Sequence, residues 1–496
     1  MKKILVLLLL LTGTLCQAQS PKREMRGTWI ATVANIDWPL TVSADAPKQQ
    51  REMIAILDDV VRNNMNCVVF QIRPTADAFY NSAHEPWSHW LTGKQGVAPA
   101  YDPLEFMINE CDKRGIAVHV WINPYRVWLK DDNLHPEMRE TLYNRYSGWL
   151  TRYGDTHYFH PADDRSREHI LNVVTDIVEN YDIDAIHMDD YFYPYRIAGQ
   201  EFPDADYFRK DPRGFTNRDD WRRDNVDRVI RAISEKIRSI KPWVEFGISP
   251  FGVWRNASKD PRGSATRAGQ TNYDDLYADI LKWEQQGWID YVSPQLYWEI
   301  GFAIADYKIL AQWWNDNAHG TLTYIGHALY RINPKGSNAA WKTPMEIIRQ
   351  IRLNRTHSNI QGSLLYSAKF LADPALQNAL LEQVYQHRSL WPENPRIERI
   401  EPMPPGYPYL FYDGQNVRLG WQPEMDNRRF AVYRFPAEEE NPDFDDPAHL
   451  VCVTGSRSVV LPADLPEVEK FRYYVTALSL THHESEPVEF HSVWQK

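Results

Sequence analysis

Short apolar runs alternate with amphipathic helical stretches along most of the chain. Stretches such as "REHILNVVTDIVENY" place apolar residues three and four positions apart, as one face of a helix requires. Repeated strand–helix units predict a (β/α)₈ barrel, with a doubly wound open sheet as the alternative. The glycine-rich turn GxGxxG is absent after the first run, which favours the barrel. The eight apolar runs are "RGTWIATV", "NCVVFQIRP", "IAVHVWINP", "DAIHMDDY", "VEFGISPFG", "DYVSPQLYWE", "LTYIGHALYRI" and "GSLLYSAKFL".

The alternation of residues within these runs predicts which side chains point into the barrel. In a strand, successive side chains face opposite sides. Along the third run, Val118 and Val120 would pack against the outer helices, while His119 and Asn123 would point inward. Dividing five of the runs into inward and outward residues in this way gives one pattern: the inward side chains become more polar toward the carboxyl ends of the strands. The residues predicted at that end are Arg73, Asn123, Asp189, Ser249 and Glu299, and other residues predicted to point inward include Gln71, Trp121, Gln295 and Tyr297.

Two of these inward residues are carboxylates, Asp189 and Glu299. Barrels of this class carry their active sites at the carboxyl ends of the strands. Cleavage of a glycosidic bond commonly uses two carboxyl groups, one as acid and one as nucleophile or base. We therefore expect Asp189 and Glu299 to form the catalytic pair, unless each is a salt-bridge partner, for example of Arg73. Asp190 is the alternative nucleophile, since a β-bulge would exchange it with Asp189.

Aromatic and polar residues near the strand ends are the candidates for substrate contact. The chain contains 19 Trp and 27 Tyr, whose flat rings suit sugar faces but also fill cores. For His187, one layer deeper than the carboxylates, a hydrogen-bonded core histidine is the alternative. The predicted substrate-binding residues are Arg73, Asn123, Tyr125, His187, Tyr191, Ser249, Trp254, Gln295, Tyr297, Trp298, His327 and Tyr330.

Charge and motif content argue against several other functions. The net charge of −11 argues against a nucleic-acid partner, which needs a basic face. His187, Asp189 and Asp190 form an H-x-D-D group that could hold a cation. No second histidine stands at a clear ligand spacing, so we predict no metal and no cofactor. The chain also has no G-x-S-x-G nucleophile elbow and no phosphate-binding glycine motif.

The first residues, "MKKILVLLLLLTGTLCQAQS", have a basic tip followed by a short apolar run. This pattern predicts a signal peptide over residues 1–18 and an exported protein in the periplasm or at the cell surface. Lipidation of Cys16 is the alternative, although Leu15 matches the lipoprotein signal poorly. Peripheral membrane association is expected only if Cys16 is lipidated.

The alternation of strands and helices ends near residue 388, and this change divides the chain into domains. We assign residues 19–388 to the barrel and the Pro-rich residues 389–405 to a linker. Residues 406–496 contain short alternating strands without helical stretches, as in a small β-sandwich. The six predicted strands are "NVRLGWQP", "RRFAVYRF", "HLVCVTG", "RSVVLP", "KFRYYVTALS" and "SEPVEFHSV".

The segments that carry these residues resemble a known family. The stretches "REMRGTWIATVANIDWP", "FQIRPTADAFY", "VWINPYRV", "DAIHMDDYFYP", "GISPFGVWRN", "DYVSPQLYWEIG" and "GHALYRIN" are similar to those of the bacterial glycosyl hydrolase-like 10 family. The C-terminal part resembles a fibronectin type III domain. The family resemblance implies an exported or lipid-anchored barrel, and one branch is implied to cleave peptidoglycan glycan strands stripped of their peptides.

These observations lead to one function and two alternatives. We expect a glycoside hydrolase that acts on bacterial cell-wall glycan or a related polysaccharide. One alternative is a non-catalytic barrel that binds glycan, and the other is a metal-dependent hydrolase of wall amide or ester bonds.

Overall fold

A computed structural model of the chain describes residues 20–128, 144–412, 416–425, 427–461 and 470–492. The predicted signal peptide, residues 1–18 with Cys16, lies outside the described residues. So do residues 129–143, which follow the third barrel strand, and parts of the C-terminal domain.

Eight parallel strands close into a barrel, as the sequence predicts. The first strand pairs with both the second and the last, so the sheet has no free edge and the open-sheet alternative is excluded. The barrel strands are β1 Met25–Ile30, β2 Cys67–Arg73, β3 Ala117–Ile122, β7 Ala185–Met188, β8 Glu245–Ile248, β9 Tyr291–Val292, β10 Leu322–Ala328 and β11 Gly362–Tyr366. A separate three-stranded sheet follows β3 and consists of β4 Arg126–Trp128, β5 Leu150–Tyr153 and β6 Thr156–Phe159.

Helices follow the barrel strands, and most of them begin at an aspartate or asparagine. Asp45, Asp102 and Asp163, for example, each accept a backbone N–H of the first helical turn. No helix in the described ranges has the length and apolar content needed to cross a bilayer. The α-helices are Ala46–Arg62, His89–Thr92, Pro103–Lys113, Asp164–Asn180, Ala205–Lys210, Arg218–Ile240, Asn272–Asp275, Ile280–Gln285, Tyr307–Asp316, Met345–Asn354 and Pro374–Gln383.

The predicted division between inward and outward side chains is confirmed. Val118 and Val120 belong to the large apolar cluster shared with the outer helices. Trp121, one of the intervening residues, belongs to the second cluster, which fills the barrel. Within the regular part of these strands, alternation therefore separates side chains that face the outer helices from side chains that face the barrel interior.

The middle of the barrel is filled by Tyr291. Its hydroxyl lies 2.9 Å from His119 Nδ1 and 2.8 Å from His187 Nδ1. Trp29 Nε1 donates to His187 Nε2 at 3.2 Å, so both histidines have partners and burial keeps the pKa of each low. Gly247 makes room for the ring, because a Cβ there would lie 1.9 Å from it. The barrel is thus a packed core beneath its carboxyl end.

The C-terminal domain has two four-stranded sheets, in the orders β16-β13-β12-β19 and β15-β14-β17-β18. The six predicted runs all contain strands, and β12, which the sequence reading missed, adds a further one. The resemblance to fibronectin type III stays a prediction. The strands are β12 Gly406–Tyr412, β13 Val417–Gln422, β14 Arg429–Pro436, β15 Leu450–Thr454, β16 Ser458–Leu461, β17 Phe471–Leu478, β18 Val488–Glu489 and β19 His491–Ser492.

This domain packs against the amino ends of the barrel strands. Arg429 is buried and donates from both terminal nitrogens to Asp184, at 2.8 and 2.9 Å. Gly115, with φ +61°, lies so close that a Cβ would sit 2.4 Å from the backbone of Val453. Trp391, within the predicted linker, donates to the carbonyl of Asn66 at 2.8 Å. The sandwich therefore covers the end of the barrel opposite the carboxyl ends of the strands.

Replacing Arg429 with Met should leave the Asp184 carboxylate buried without its partner. Losing one member of a buried ion pair typically costs about 3–5 kcal/mol. We expect the free energy of unfolding, measured by urea denaturation, to fall by about that amount. Arg231→Met, in an exposed pair with Glu235, is the control and should cost less than about 1 kcal/mol. Equal losses in both variants would show that the interface does not depend on this pair.

Candidate active site

A cavity of about 460 Å³ opens at the carboxyl ends of the barrel strands. The chain enters it at Asp189, directly after β7. The structure brings six of the predicted residues into its lining: Asp189, Tyr191, Ser249, Gln295, Tyr297 and Tyr330. Most of the remaining wall is aromatic or apolar, so a bound molecule would meet ring faces on several sides.

Asp189 presents a nearly buried carboxyl group to this cavity, with 5% of the residue exposed. Its Oδ2 accepts hydrogen bonds from Asn123 Nδ2 and from Trp121 Nε1, the latter at 3.2 Å. Burial raises the pKa of Asp189 to about 6, although the charge of Arg126 and the hydrogen bonds act in the opposite direction. Asn123 thus lies behind the carboxylate and orients it.

Asp190 lies next to Asp189 and is 1% exposed. The Tyr195 hydroxyl donates to its Oδ2, and the Gln295 side chain also hydrogen-bonds to it. Burial and the negative charge of Asp189 raise the pKa of Asp190 to about 7. Two adjacent carboxyl groups in an apolar site resist double ionisation, so the pair retains a proton close to neutral pH.

Glu299 does not line this cavity, contrary to expectation. Its Oε1 accepts from Asn338 Nδ2 and its Oε2 from Trp341 Nε1, both at 3.0 Å. These hydrogen bonds lower the pKa of Glu299 even though partial burial opposes them. The parity argument failed here because β9 ends at Val292, and Pro294 cannot donate a ladder hydrogen bond. Beyond Pro294 the chain is no longer a regular strand, so alternation does not fix the direction of Glu299.

Arg73 also differs from expectation. Its Nε and Nη2 donate to the Glu85 carboxylate at 2.7 and 2.6 Å, and its Nη1 donates to the Asn123 carbonyl. The register of β2 against β3 shifts between Gln71 and Arg73, which breaks the alternation at the strand end. Arg73 is therefore a buried ion-pair partner of Glu85 rather than of Asp189.

Five further predicted contacts lie away from the cavity lining. His327 hydrogen-bonds to Gln350 and Ser363 inside the protein, at 2.9 Å each. Tyr125, Trp254 and Trp298 were predicted because they follow strand ends, and His187 because it points inward below the carboxylates. Core packing, the alternative for these four residues, describes them better. Tyr125, His187 and Trp254 are buried, and half-buried Trp298 packs edge-on against Phe251.

The sequence reading missed part of the cavity wall. Gln71 and Trp121 were assigned inward, but neither was selected as a contact. Tyr366 ends the last barrel strand and Lys369 follows it, where no chemical motif marks them. Other lining residues not selected are Trp29, Val33, Ile36 and Arg126.

The model of one family, described as "Glycosyl hydrolase-like 10", matches residues 24–343. The chain belongs to this family. The match confirms the family expected from the sequence and, with it, the enzyme class, a glycoside hydrolase. It spans twelve of the fourteen residues that line the cavity, whereas Tyr366 and Lys369 lie beyond the matched residues, on the last barrel strand and the turn after it.

Curated relatives of similar length exist within the family. "Glycosyl hydrolase YngK" of Bacillus subtilis is 42% identical over 485 residues, which covers 95% of this chain and 93% of the relative. "Glycosyl hydrolase DigH" of Escherichia coli is 39% identical over 386 residues, or 73% of this chain and 87% of the relative. Among solved structures, the catalytic domain of a β-amylase from Paenibacillus polymyxa aligns at a TM-score of 0.49 and 11% identity, covering 74% of this chain and 99% of that one.

Asp190→Asn should stabilise the fold at alkaline pH. The pKa of Asp190 is about 7 in the folded protein against 3.8 for the free side chain. At a pH between these two values, Asp190 is therefore protonated in the folded protein and ionised in the unfolded chain. Stability should therefore fall as pH rises from about 4 to about 7, and the neutral amide escapes that loss. We expect a higher Tm for the variant at pH 8 and no gain at pH 4, by differential scanning calorimetry. The exposed change Asp316→Asn should have no such effect, and an equal Tm for Asp190→Asn at pH 8 would contradict the argument.

Proposed function

We propose that this enzyme cleaves glycosidic bonds of a bacterial cell-wall glycan in the cavity, with Asp189 as the general acid. The observation that carries the proposal is the adjacent pair Asp189 and Asp190, whose carboxyl pKa values lie near neutrality and of which Asp189 lines an aromatic cavity. A general acid works best when its pKa lies near the working pH.

The two carboxyl groups have different environments, which favours different roles. Asp189 lines the cavity, so its carboxyl group can reach a glycosidic oxygen and protonate it as the bond to the anomeric carbon breaks. Water then bonds to that carbon, and the proton it releases restores the proton of the aspartate pair. Asp190 is more deeply buried and held by Tyr195. We assign Asp190 the role of sharing one proton with Asp189, because each charge of the pair favours the protonated form of the other.

Peptide-stripped peptidoglycan is the substrate we propose. The resemblance noted in the sequence implies this glycan for one branch of the family, and the predicted signal peptide would deliver the chain to the compartment that contains it. Rings lining the cavity, among them Trp29, Trp121, Tyr297 and Tyr366, suit the apolar faces of sugar rings.

The catalytic assignment predicts a contrast between three isosteric variants. Asp189→Asn should lower cleavage of stripped sacculi by about 100-fold or more, because it removes the transferred proton. Asp190→Asn should lower it by at least about tenfold, whereas Glu299→Gln should stay within about threefold of wild type. Products can be followed by mass spectrometry, with calorimetry confirming that each variant folds. Loss of activity in Glu299→Gln together with full activity in Asp190→Asn would instead support the pair expected from the sequence.

The pH profile of kcat/KM should be bell-shaped, with its optimum between about 6 and 7. Between these values the coupled pair holds one proton; below that range both carboxyl groups are protonated, and above it both are ionised, so no proton remains for the leaving oxygen. Glu299→Gln should keep the same profile. A rate that stayed constant from pH 5 to 9 would contradict a role for the aspartate pair.

The same assays separate the alternatives that the sequence left open. Binding of glycan without cleavage would indicate a non-catalytic barrel. Loss of cleavage in EDTA would indicate a metal-dependent hydrolase. Cleavage that persists in EDTA and depends on Asp189 supports the proposal.

A further inference from the structure

Two cationic side chains lie in the wall of the cavity, among aromatic, apolar and neutral polar residues and the carboxyl group of Asp189. Arg126 follows the third barrel strand at the start of β4, and Lys369 stands in the 3₁₀ turn Ala368–Phe370 after the last barrel strand. Both line the same cavity as Asp189, although they come from different sectors of the barrel. A ligand at Asp189 would therefore lie within reach of positive charge from two directions.

Arg126 is held so that its charge faces the cavity. Its Nε donates to the Pro74 carbonyl at 2.9 Å, and its guanidinium carbon lies 5.4 Å from the centre of the Tyr191 ring. Across the described residues, no carboxylate lies within ion-pair distance of this guanidinium. Its planar group retains N–H donors in the fork geometry that matches a carboxylate.

Lys369 is also without an ion-pair partner in the described part of the chain. Its backbone N–H is anchored by Asp37 Oδ1 at 3.2 Å, while the side chain is exposed, with Nζ 5.3 Å from the centre of the Phe370 ring. The backbone of Lys369 is therefore fixed at the rim of the cavity, while its ammonium group stays free to move toward a ligand.

The two cations do not serve the proposed proton transfer. A positive charge beside Asp189 favours its ionised form, and Arg126 acts in this direction. A general acid must hold its proton, so a cation at this position weakens the acid. A role in binding an anion explains why an otherwise acidic protein, with a net charge of −11, places unpaired cations here.

We propose that Arg126 and Lys369 bind a carboxylate carried by the sugar in the cavity, an inference that rests on the proposed glycan substrate. Such a carboxylate comes either from an acid joined to the ring through an ether, as in muramic acid, or from a uronic acid. When the ether-linked acid carries a peptide, its carboxylate becomes a neutral amide and offers no charge. This pair of cations would thereby distinguish stripped glycan from glycan that bears peptides.

Monosaccharides test the anion site without cleavage, since they contain no glycosidic bond. Binding to the full-length protein can be measured by isothermal titration with N-acetylmuramic acid, its lactyl amide, glucuronic acid and N-acetylglucosamine. We expect N-acetylmuramic acid to bind at least about tenfold more tightly than its amide and N-acetylglucosamine, as a charge-assisted contact allows. A stronger preference for glucuronic acid would support the anion site and identify a uronic acid as the source.

Variants then assign the preference to the two side chains. Arg126→Gln and Lys369→Gln should each weaken the preference for N-acetylmuramic acid over its amide, and the double variant should abolish this preference. Lys308→Gln and Arg231→Gln remove the same charge from exposed helix positions and should leave it unchanged. A preference that survives in the double variant, or no preference in the wild type, would overturn the inference.

The salt dependence of cleavage gives a second measurement. For anionic oligosaccharides, KM should rise with salt in the wild type and change less in Lys369→Gln, while kcat is little affected. Cleavage of wall glycan without any preference for the free acid would refute the anion site alone. A preference without cleavage of any glycan would refute the proposed hydrolysis and leave the anion site standing.

Discussion

Burial of two neighbouring carboxyl groups is the constraint around which the carboxyl end of this barrel is organised. Removing a carboxylate from water costs free energy unless it is paired, hydrogen-bonded or protonated. Asn123 and Trp121 satisfy part of this requirement for Asp189, and Tyr195 does so for Asp190. Because neither aspartate has a cationic hydrogen-bond partner among the described residues, protonation supplies the remainder. The same desolvation that weakens the fold at alkaline pH creates an acid suited to neutral conditions.

The layers below and behind this pair keep it in place. Tyr291 fills the barrel between His119 and His187, and Gly247 leaves room for its ring. A rigid floor of this kind fixes the strand ends, which is what precise placement of catalytic groups requires. At the opposite end, the β-sandwich is attached through the buried Arg429–Asp184 pair and lies away from the cavity. Its position favours a structural contribution to the barrel over contact with substrate.

The difference between Asp190 and Glu299 illustrates how pKa environment separates similar residues. Glu299 has two neutral donors and partial exposure, so its ionised form is favoured. Asp190 has a negative neighbour and complete burial, so its neutral form is favoured. Residue type and sequence position did not separate these two acids, whereas their surroundings do. Arg126 and Lys369 show the converse case, because cations without carboxylate partners at a cavity wall favour anionic ligands.

Alternation and helical periodicity in the sequence were sufficient for the barrel, its eight strands, the inward direction of Asp189 and the β-rich C-terminal domain. These features follow from local rules, since a pleated strand or a helix repeats its geometry over a few residues. The partner of Asp189, the burial of Arg73 and the presence of Arg126 and Lys369 in one cavity were decided by tertiary structure alone. Past the register shift in β2 and past Pro294 the chain leaves regular geometry, and the direction of each side chain then depends on contacts with distant segments. Periodicity carries no information about those contacts, because they form only when the eight strand ends meet around one axis.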